Sequence, residues 1–284
     1  MMNYAVTAAT GNFGQKAVKK LNELVGAENV TVIARNTEKA TKLFPNNVVK
    51  HGDYEDAASM EEALQGVDRV LFISSQPGGK VDRATAQKNV IDAMKKDGVK
   101  FVAYTSFPNA QKSSTPLADD HRVTENAIKK AGIDHAFLRD NWYLENEIGF
   151  LQNGAANRDA LYWANNKAGW ALERDYAEAA AKVVSSNDAQ EVYELAGKSL
   201  SYEELGKAIQ EATGNDFAIK QVSQEEYTKS LEDAGLDSAT AGLFASFQAP
   251  INSGDLAEDS DDLEKALGRP VTPIVESIKE LLAH

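Results

Sequence analysis

The sequence predicts an α/β protein built on a doubly wound parallel sheet, followed by a smaller α+β cap. Two observations predict this fold. Short apolar, β-branched segments alternate with amphipathic helical segments through the first half of the chain, and polar residues follow each apolar segment. Such alternation is typical of parallel sheets, because each helix returns the chain to the same end of the sheet. The first half is therefore predicted to be a Rossmann-like domain.

The individual elements follow in order. Six strands are predicted, at residues 4–7, 30–34, 48–51, 70–73, 101–105 and 135–138. The clearest helices between them are predicted at 82–96 and 118–131. Beyond residue 141 the alternation weakens and aromatic residues become frequent. We therefore assign residues 1–140 to the sheet domain and residues 141–284 to the cap, from which the chain is free to cross back to the sheet.

Start signals of helices are clear in the cap. Ser201 and Glu204 have the spacing of a capping box, as do Ser223 and Glu226. A final helix is predicted to begin with Thr272 as its N-cap residue, followed by proline.

Composition excludes several classes of protein. The 284 residues are 43% hydrophobic and 26% charged, which is typical of a globular protein. The absence of cysteine excludes disulfides, thiolate catalysis and cysteine-bound metals, and the four histidines have no ligand spacing, so no metal is predicted. The net charge of -13 disfavours a nucleic-acid partner. Since no apolar run approaches the roughly 18–20 residues of a membrane span, we expect a cytoplasmic protein.

The first strand is followed by a glycine turn and the start of a helix. Residues 4–7 are rich in β-formers, Gly11 and Gly14 follow, and apolar residues recur at helical spacing over 13–21. Backbone N–H groups at such a helix start can bind a dinucleotide pyrophosphate. A glycine turn also occurs for packing alone. The residues predicted to contact the phosphates are Thr10, Gly11, Asn12, Phe13 and Gly14.

A basic residue, Arg35, follows the second predicted strand. An NAD site normally has Asp or Glu there, which accepts from the ribose 2′-OH, whereas Arg matches a 2′-phosphate by charge and by its planar shape. The sequence therefore predicts NADPH as cofactor, with NADH binding more weakly. The alternative is an ordinary solvated charge at a strand end.

The order of these motifs resembles the NmrA-like family of atypical short-chain dehydrogenases, and within it the NAD(P)H:quinone oxidoreductase subgroup related to triphenylmethane reductase. The resemblance covers essentially the whole chain and rests on segments 7–14, 34–36, 52–54, 71–75, 103–106, 138–139, 142–143 and 193–197. It implies that residues after the third, fourth and fifth strands complete the cofactor site. These residues are Asp53, Tyr54, Ser74, Ser75, Thr105 and Ser106.

Two departures from related patterns bear on the chemistry. Ala8 replaces the first glycine of the family's phosphate loop, which either strains or crowds the loop. The Tyr/Lys pair of ordinary short-chain dehydrogenases is missing, and the corresponding helix offers His121 and Glu125 instead. We therefore predict no essential catalytic residue, with Ser106 and His121 as the only candidates. A quinone needs no tuned acid, because the nicotinamide supplies the hydride and water supplies the proton.

The expected acceptor is a small aromatic molecule or quinone in a mostly apolar pocket. Phe107, Asn141, Trp142 and Tyr143, just past the last two predicted strands, are the substrate-side candidates, although aromatic residues at a domain junction are often core. The alternative function is a non-catalytic NAD(P)-sensing regulator of the NmrA type, which binds a protein partner. A sugar-nucleotide epimerase ranks last because it normally needs the Tyr/Lys pair. A homodimer is compatible with the sequence.

Overall fold

A computed structural model describes residues 2–75, 79–113 and 115–283. The chain divides into two compact units. The first, which we call the sheet unit, comprises Met1–Asp140, Arg174–Leu195 and Asp262–Arg269; the second unit comprises Asn141–Glu173, Ala196–Asp261 and Pro270–His284.

Both units contain strands and helices, which alternate most regularly through the first part of the chain. The strands are β1 (Tyr4–Val6), β2 (Val30–Ala34), β3 (Val48–His51), β4 (Arg69–Phe72), β5 (Phe101–Ser106), β6 (Asp134–Asp140), β7 (Ala160–Tyr162), β8 (Lys167–Ala168), β9 (Val192–Leu195), β10 (Leu200–Ser201) and β11 (Ile219–Gln221). The helices are α1 (Asn12–Val25), α2 (Thr37–Leu43), α3 (Ala57–Leu64), α4 (Arg83–Lys96), α5 (Pro116–Ala131), α6 (Ile148–Ala155), α7 (Glu173–Ser185), α8 (Tyr202–Thr213), α9 (Gln224–Asp233), α10 (Ser238–Ser246), α11 (Ala249–Asn252), α12 (Asp262–Leu267) and α13 (Ile274–Leu282).

Seven strands form the sheet in the order β3-β2-β1-β4-β5-β6-β9, and every pairing is parallel. The chain builds outward from β1 in one direction and then continues from β4 in the other. The order therefore reverses between β1 and β4, which is where ligands bind in open parallel sheets. The predicted doubly wound Rossmann-like sheet is confirmed.

The sheet is buried on both faces. All six residues of β5 and all four of β4 are buried. Met60, Leu64, Met94 and Ile128, from three helices, join one core cluster, in which each is fully buried. Burying such side chains stabilises the fold by roughly 1.5–3 kcal/mol each. The rigid sheet thereby fixes the loops at its carboxyl edge.

The first segment of the sheet unit ends at Asp140. Residues 174–195 and 262–269 lie within the range predicted for the cap, from which the chain was expected to be free to cross back, and they belong to the sheet unit. Within them, β9 pairs with β6 and becomes a seventh strand. The pairing connects residues more than 50 positions apart, for example Phe137 and Val192, which local periodicity does not reveal.

The second unit holds two small sheets, β7 with β11 and β8 with β10, and six of the helices, α6, α8, α9, α10, α11 and α13. Both predicted capping boxes are present, before α8 and before α9. The final helix differs from its prediction by one residue, because its N-cap is Pro273 rather than Thr272.

Candidate functional site

The loop between β1 and α1 is tightly built. Gly11 N–H donates to the carbonyl of Ala8 at 3.1 Å, which closes a turn. A side chain at Gly14 would come within 2.6 Å of the Ala8 oxygen and 2.7 Å of the Ala9 Cα, so only glycine fits there. At Gly11 an added Cβ would meet only the Ala8 oxygen, at the ordinary distance of 3.4 Å. The protein's own packing therefore requires Gly14 but does not require Gly11.

Ala8 adopts a left-handed backbone, with φ at 49°. The sequence left open whether this residue strains or crowds the loop, and its conformation shows strain. For an L-residue this region costs about 1–2 kcal/mol relative to the right-handed region. The exposed methyl group adds no packing that offsets this cost.

Ala8→Gly should raise the free energy of unfolding by about 0.5–1 kcal/mol, because relief of the left-handed strain exceeds glycine's extra entropy in the unfolded chain. Urea unfolding of the ligand-free protein measures the change, and an NADPH titration should show equal or tighter binding. Ala234→Gly is the matched control: this exposed residue has a φ of −80°, so it should lose stability. Equal decreases in the free energy of unfolding of Ala8→Gly and Ala234→Gly would contradict strain at Ala8.

The N-terminus of α1 is open. Gly11 is its N-cap residue, no side chain caps the helix, and the first turn contains no acidic residue. A helix start leaves up to four N–H groups without intrahelical partners and carries partial positive charge. Together with the bare backbone of Gly11, this arrangement fits a phosphate group.

Two cations lie after β2. Arg35 is exposed and its guanidinium has no ion pair within the described part of the chain. Lys39, in the first turn of α2, donates from Nζ to the carbonyl of Thr10 at 3.3 Å, so it reaches the phosphate loop. The sequence reasoning missed Lys39.

Hydrogen bonds of threonine and tyrosine side chains connect the ends of neighbouring strands. The Tyr54 hydroxyl hydrogen-bonds to Thr7 Oγ1 and donates to the Ile73 carbonyl at 2.7 Å. Burial raises the pKa of Tyr54 well above its usual value, so it remains a phenol. Ser74 N–H donates to Thr105 Oγ1 at 2.8 Å. Asp53 Oδ1 accepts from Glu55 N–H at 3.1 Å.

His121 belongs to a buried chain of polar groups. Arg83 donates from Nη2 to His121 Nε2 at 3.1 Å, and His121 Nδ1 lies 3.0 Å from the hydroxyl of Tyr104. That hydroxyl donates to Gln87 Oε1 at 2.6 Å. Burial, together with the nearby Arg83 charge, lowers the pKa of His121 to about 3. A neutral imidazole whose Nε2 accepts a hydrogen bond is a poor general acid.

Ser106 belongs to a second network. Its hydroxyl donates to Glu125 Oε1 at 2.7 Å, and Arg139 donates a hydrogen bond to each carboxylate oxygen of Glu125, both at 2.8 Å. Arg139 also donates to Glu194 Oε1 at 2.7 Å. Burial opposes ionisation of Glu125, but the donors Arg139, Gln111 and Ser106 outweigh it, so the pKa of Glu125 lies below its usual value. The hydroxyl proton of Ser106 thus takes part in a hydrogen bond to the buried carboxylate of Glu125.

His121→Ala and Ser106→Ala should each lower kcat for quinone reduction by less than about tenfold, because neither group is set up to give a proton. General acids contribute about 10²- to 10⁴-fold, so the two cases separate clearly. Steady-state kinetics with folded, NADPH-saturated variants measures kcat. A loss near 10⁴-fold in either variant would identify that residue as the proton donor.

The four substrate-side candidates fall in both units. Phe107, in the sheet unit, is 4% exposed, and its ring centroid is 6.1 Å from that of His121. In the second unit, the Trp142 ring meets the edge of Phe247 at 6.3 Å, and Tyr143 is half-buried and bridges to Ala171.

The fourth candidate, Asn141, uses its side-chain amide within the second unit. Nδ2 donates to the Leu256 carbonyl at 3.1 Å, and Oδ1 accepts from the N–H groups of Trp142 and Gly169. These bonds give Asn141 a structural role. Its contact with substrate stays a prediction.

One signal identifies the two basic residues that sequence reasoning missed. Lys39 and Arg83 both lie in the first turn of a helix, where the helix dipole disfavours a cation. Neither residue pairs with a carboxylate of its own first turn. A basic residue at a helix start that follows a strand of the sheet is therefore the signal that could have made these two residues candidates.

Comparisons with known proteins agree with this geometry. A family model described as NAD(P)H-binding matches residues 8–162, and Escherichia coli (strain K12) Quinone oxidoreductase 2 is 36% identical over 98% of each chain. The chain belongs to this NAD(P)H-binding family. Citrobacter sp. triphenylmethane reductase complexed with NADP(H) matches with a TM-score of 0.91 at 30% identity, over 99% of this chain and 100% of that one.

A second solved structure adds to the family comparison. The NADPH-dependent quinone oxidoreductase of Escherichia coli complexed with NADPH matches with a TM-score of 0.90 at 34% identity, over 98% of this chain and 99% of that one.

Within residues 2–75, 79–113 and 115–283, no helix is long and apolar enough to cross a membrane. The same residues contain no group of three or more His, Cys, Asp or Glu side chains placed to hold a metal ion.

Proposed function

We propose that this NAD(P)H-binding oxidoreductase uses NADPH to reduce a quinone or a similar electron-poor aromatic acceptor. One observation carries the choice of cofactor. The exposed guanidinium of Arg35, which has no ion pair among the described residues, directly follows β2, where an NAD site needs a carboxylate. Lys39 adds a second cation within reach of the same loop. NADH, which lacks the 2′-phosphate, would bind more weakly.

The remaining cofactor contacts follow from the sheet edge. The open start of α1 would hold the pyrophosphate, through Thr10, Gly11, Asn12, Phe13 and Gly14. The carboxyl ends of β3, β4 and β5 would line the rest of the cofactor. The residues there are Asp53, Tyr54, Ser74, Ser75, Thr105 and Ser106. When bound, the reduced nicotinamide supplies a hydride, and the protein orients the acceptor and excludes water.

The acceptor assignment rests on two supports. Two of the similar proteins are named as a quinone oxidoreductase and a triphenylmethane reductase. In this chain His121 is held neutral and Ser106 is committed to Glu125, which suits an acceptor that needs no protein acid. Phe107, Trp142 and Tyr143 would supply the apolar contacts, and Asn141 would hold the chain that carries two of them. We place the protein in the cytoplasm and regard a homodimer as the assembly to test.

Anaerobic mixing of the protein with NADPH and 1,4-benzoquinone tests this function. We expect NADPH oxidation that depends on the quinone, exceeds the uncatalysed background and yields one hydroquinone per NADPH. NADH should give a higher KM. Tight NADPH binding without turnover of any quinone in a panel would instead support the non-catalytic sensor of the NmrA type, which the enzymatic relatives do not favour.

A further inference from the structure

Arg83 carries a nearly buried guanidinium at the carboxyl edge of the sheet. Its side chain is 7% exposed, and Nε donates to the carbonyl of Ser75, three residues beyond β4, at 2.7 Å. Among the residues that the structure describes, neither the buried Nη1 nor the buried hydroxyl oxygen of Ser75 has a hydrogen-bond partner. Buried donors are normally satisfied. Two unsatisfied donors on residues in contact with each other therefore indicate a place for an oxygen of a bound molecule.

The polar chain through His121 holds this guanidinium in place. Because arginine only donates, the nitrogen His121 Nε2 must accept, which leaves the proton on Nδ1, facing Tyr104. Tyr104 is in turn fixed by Gln87. The helix position that lacks a catalytic tyrosine thus holds a residue that orients Arg83.

The charge of Arg83 is only partly compensated. Its nearest carboxylate oxygen, Asp120 Oδ2, is 3.5 Å from Nη1 and belongs to a side chain that is 38% exposed. Removing a guanidinium from water is costly unless a close, hydrogen-bonded anion replaces the water. By contrast, Arg139 makes three hydrogen bonds to two carboxylates. Arg83 therefore retains donors and charge for an anionic group.

We propose that Arg83 is a catalytic residue that binds the carbonyl oxygen of the acceptor and stabilises the negative charge developing there. The inference rests on the proposed function and deepens it, because it restricts good acceptors to those whose reduction places charge on an oxygen. The ring centroid of Phe107 lies 6.1 Å from that of His121, the residue that orients Arg83.

The reaction balances without a protein acid. The quinone gains a hydride from the reduced nicotinamide, which leaves as the oxidised dinucleotide, and the quinone becomes a hydroquinone monoanion. Arg83 donates hydrogen bonds to that oxyanion and keeps its own protons. Water then protonates the monoanion after it leaves the guanidinium. Removing one such donor typically costs about 10²- to 10³-fold in kcat.

Binding of 4-nitrophenol to the NADP⁺-loaded protein tests the proposal without turnover. Its absorbance reports the ionisation of the bound phenol, which mimics the hydroquinone monoanion. We expect Arg83→Gln to weaken phenolate binding at least about tenfold, equivalent to raising the bound phenol's pKa by about one unit. Asp120→Asn should strengthen it, because Arg83 then loses its competing carboxylate. Arg158→Gln, at an exposed arginine of the second unit, should change nothing.

Parallel kinetics separates the possible roles. Arg83→Gln should lower kcat for benzoquinone while leaving the Kd of NADPH within about threefold, and Arg83→Lys should restore part of kcat. If Arg83→Gln does not fold, Asp120→Asn and Arg83→Lys still decide, because the proposal requires stronger phenolate binding in Asp120→Asn and weaker but retained phenolate binding in Arg83→Lys. Unchanged phenolate binding in all variants, absent binding to wild type, or a loss confined to NADPH affinity would overturn the proposal. Arg83-dependent phenolate binding without any quinone turnover would overturn the proposed function alone.

Discussion

Arg139→Leu should lower the free energy of unfolding by about 3–5 kcal/mol, because it leaves the carboxylate of Glu125 buried and without its cation. Glu125 has no exposed surface, and Arg139 supplies two of its four hydrogen bonds. Ser106 and Gln111 are neutral donors and cannot replace the charge. Urea unfolding at neutral pH measures the effect.

The double variant Glu125→Gln with Arg139→Leu is the control, and it should be more stable than Arg139→Leu alone. The effect should also depend on pH. The pKa of Glu125 is lowered in the folded protein, so its stabilising contribution is present above the unfolded value of about 4.3 and is lost as pH falls through the folded value. In Arg139→Leu the buried carboxyl instead takes up a proton more readily. A destabilisation that stays constant or grows upon acidification would contradict the ion-pair account.

Arg35→Asp should weaken NADPH binding about 10- to 150-fold, the equivalent of roughly 1.5–3 kcal/mol for a charge-assisted contact to the 2′-phosphate. NADH binding should stay constant or improve, because aspartate accepts from the ribose 2′-OH. Titrating NADPH and NADH into the wild type and into Arg35→Asp gives the ratio of the two dissociation constants for each protein. Rising ionic strength should reduce the NADPH preference of the wild type, since Arg35 is exposed.

Lys42→Asp is the charge-matched control. Lys42 is exposed at the last turn of α2 and pairs with Glu38, so the same reversal of charge there should leave the cofactor preference nearly unchanged. An equal loss of NADPH affinity in both variants would mean that overall charge, rather than contact at Arg35, governs binding. Equal NADPH affinity in wild type and Arg35→Asp would exclude the assigned contact.

Much of the sheet is predictable because buried parallel strands have a strong local pattern. The six predicted strands match β1 to β6, and residues 30–34 and 48–51 match within their full bounds. The missed strand β9 alternates half-buried and buried residues, and its place depends on pairing with β6, which lies more than 50 residues earlier in the chain. The sequence of a short segment does not show which distant strand that segment pairs with.

The side-chain networks were harder to predict for a related reason. Lys39 reaches Thr10 across 29 positions of sequence, and Arg83 reaches His121 across 38. Sequence spacing indicated that Ser106 and His121 lie near the cofactor edge, but it did not show that their polar atoms are already engaged. The conformation of Ala8 likewise follows from the turn that the whole loop imposes, and alanine alone does not indicate it.

Single-turnover oxidation of bound NADPH by 1,4-benzoquinone, with deuterium placed separately on each face of the nicotinamide, tests the central claim most directly. Direct hydride transfer predicts that one labelled form slows the reaction by a primary isotope effect, that the other does not, and that hydroquinone forms in equal amount. NADPH that remains reduced in the presence of quinone, or a rate that neither label changes while semiquinone accumulates, would contradict hydride transfer by this protein.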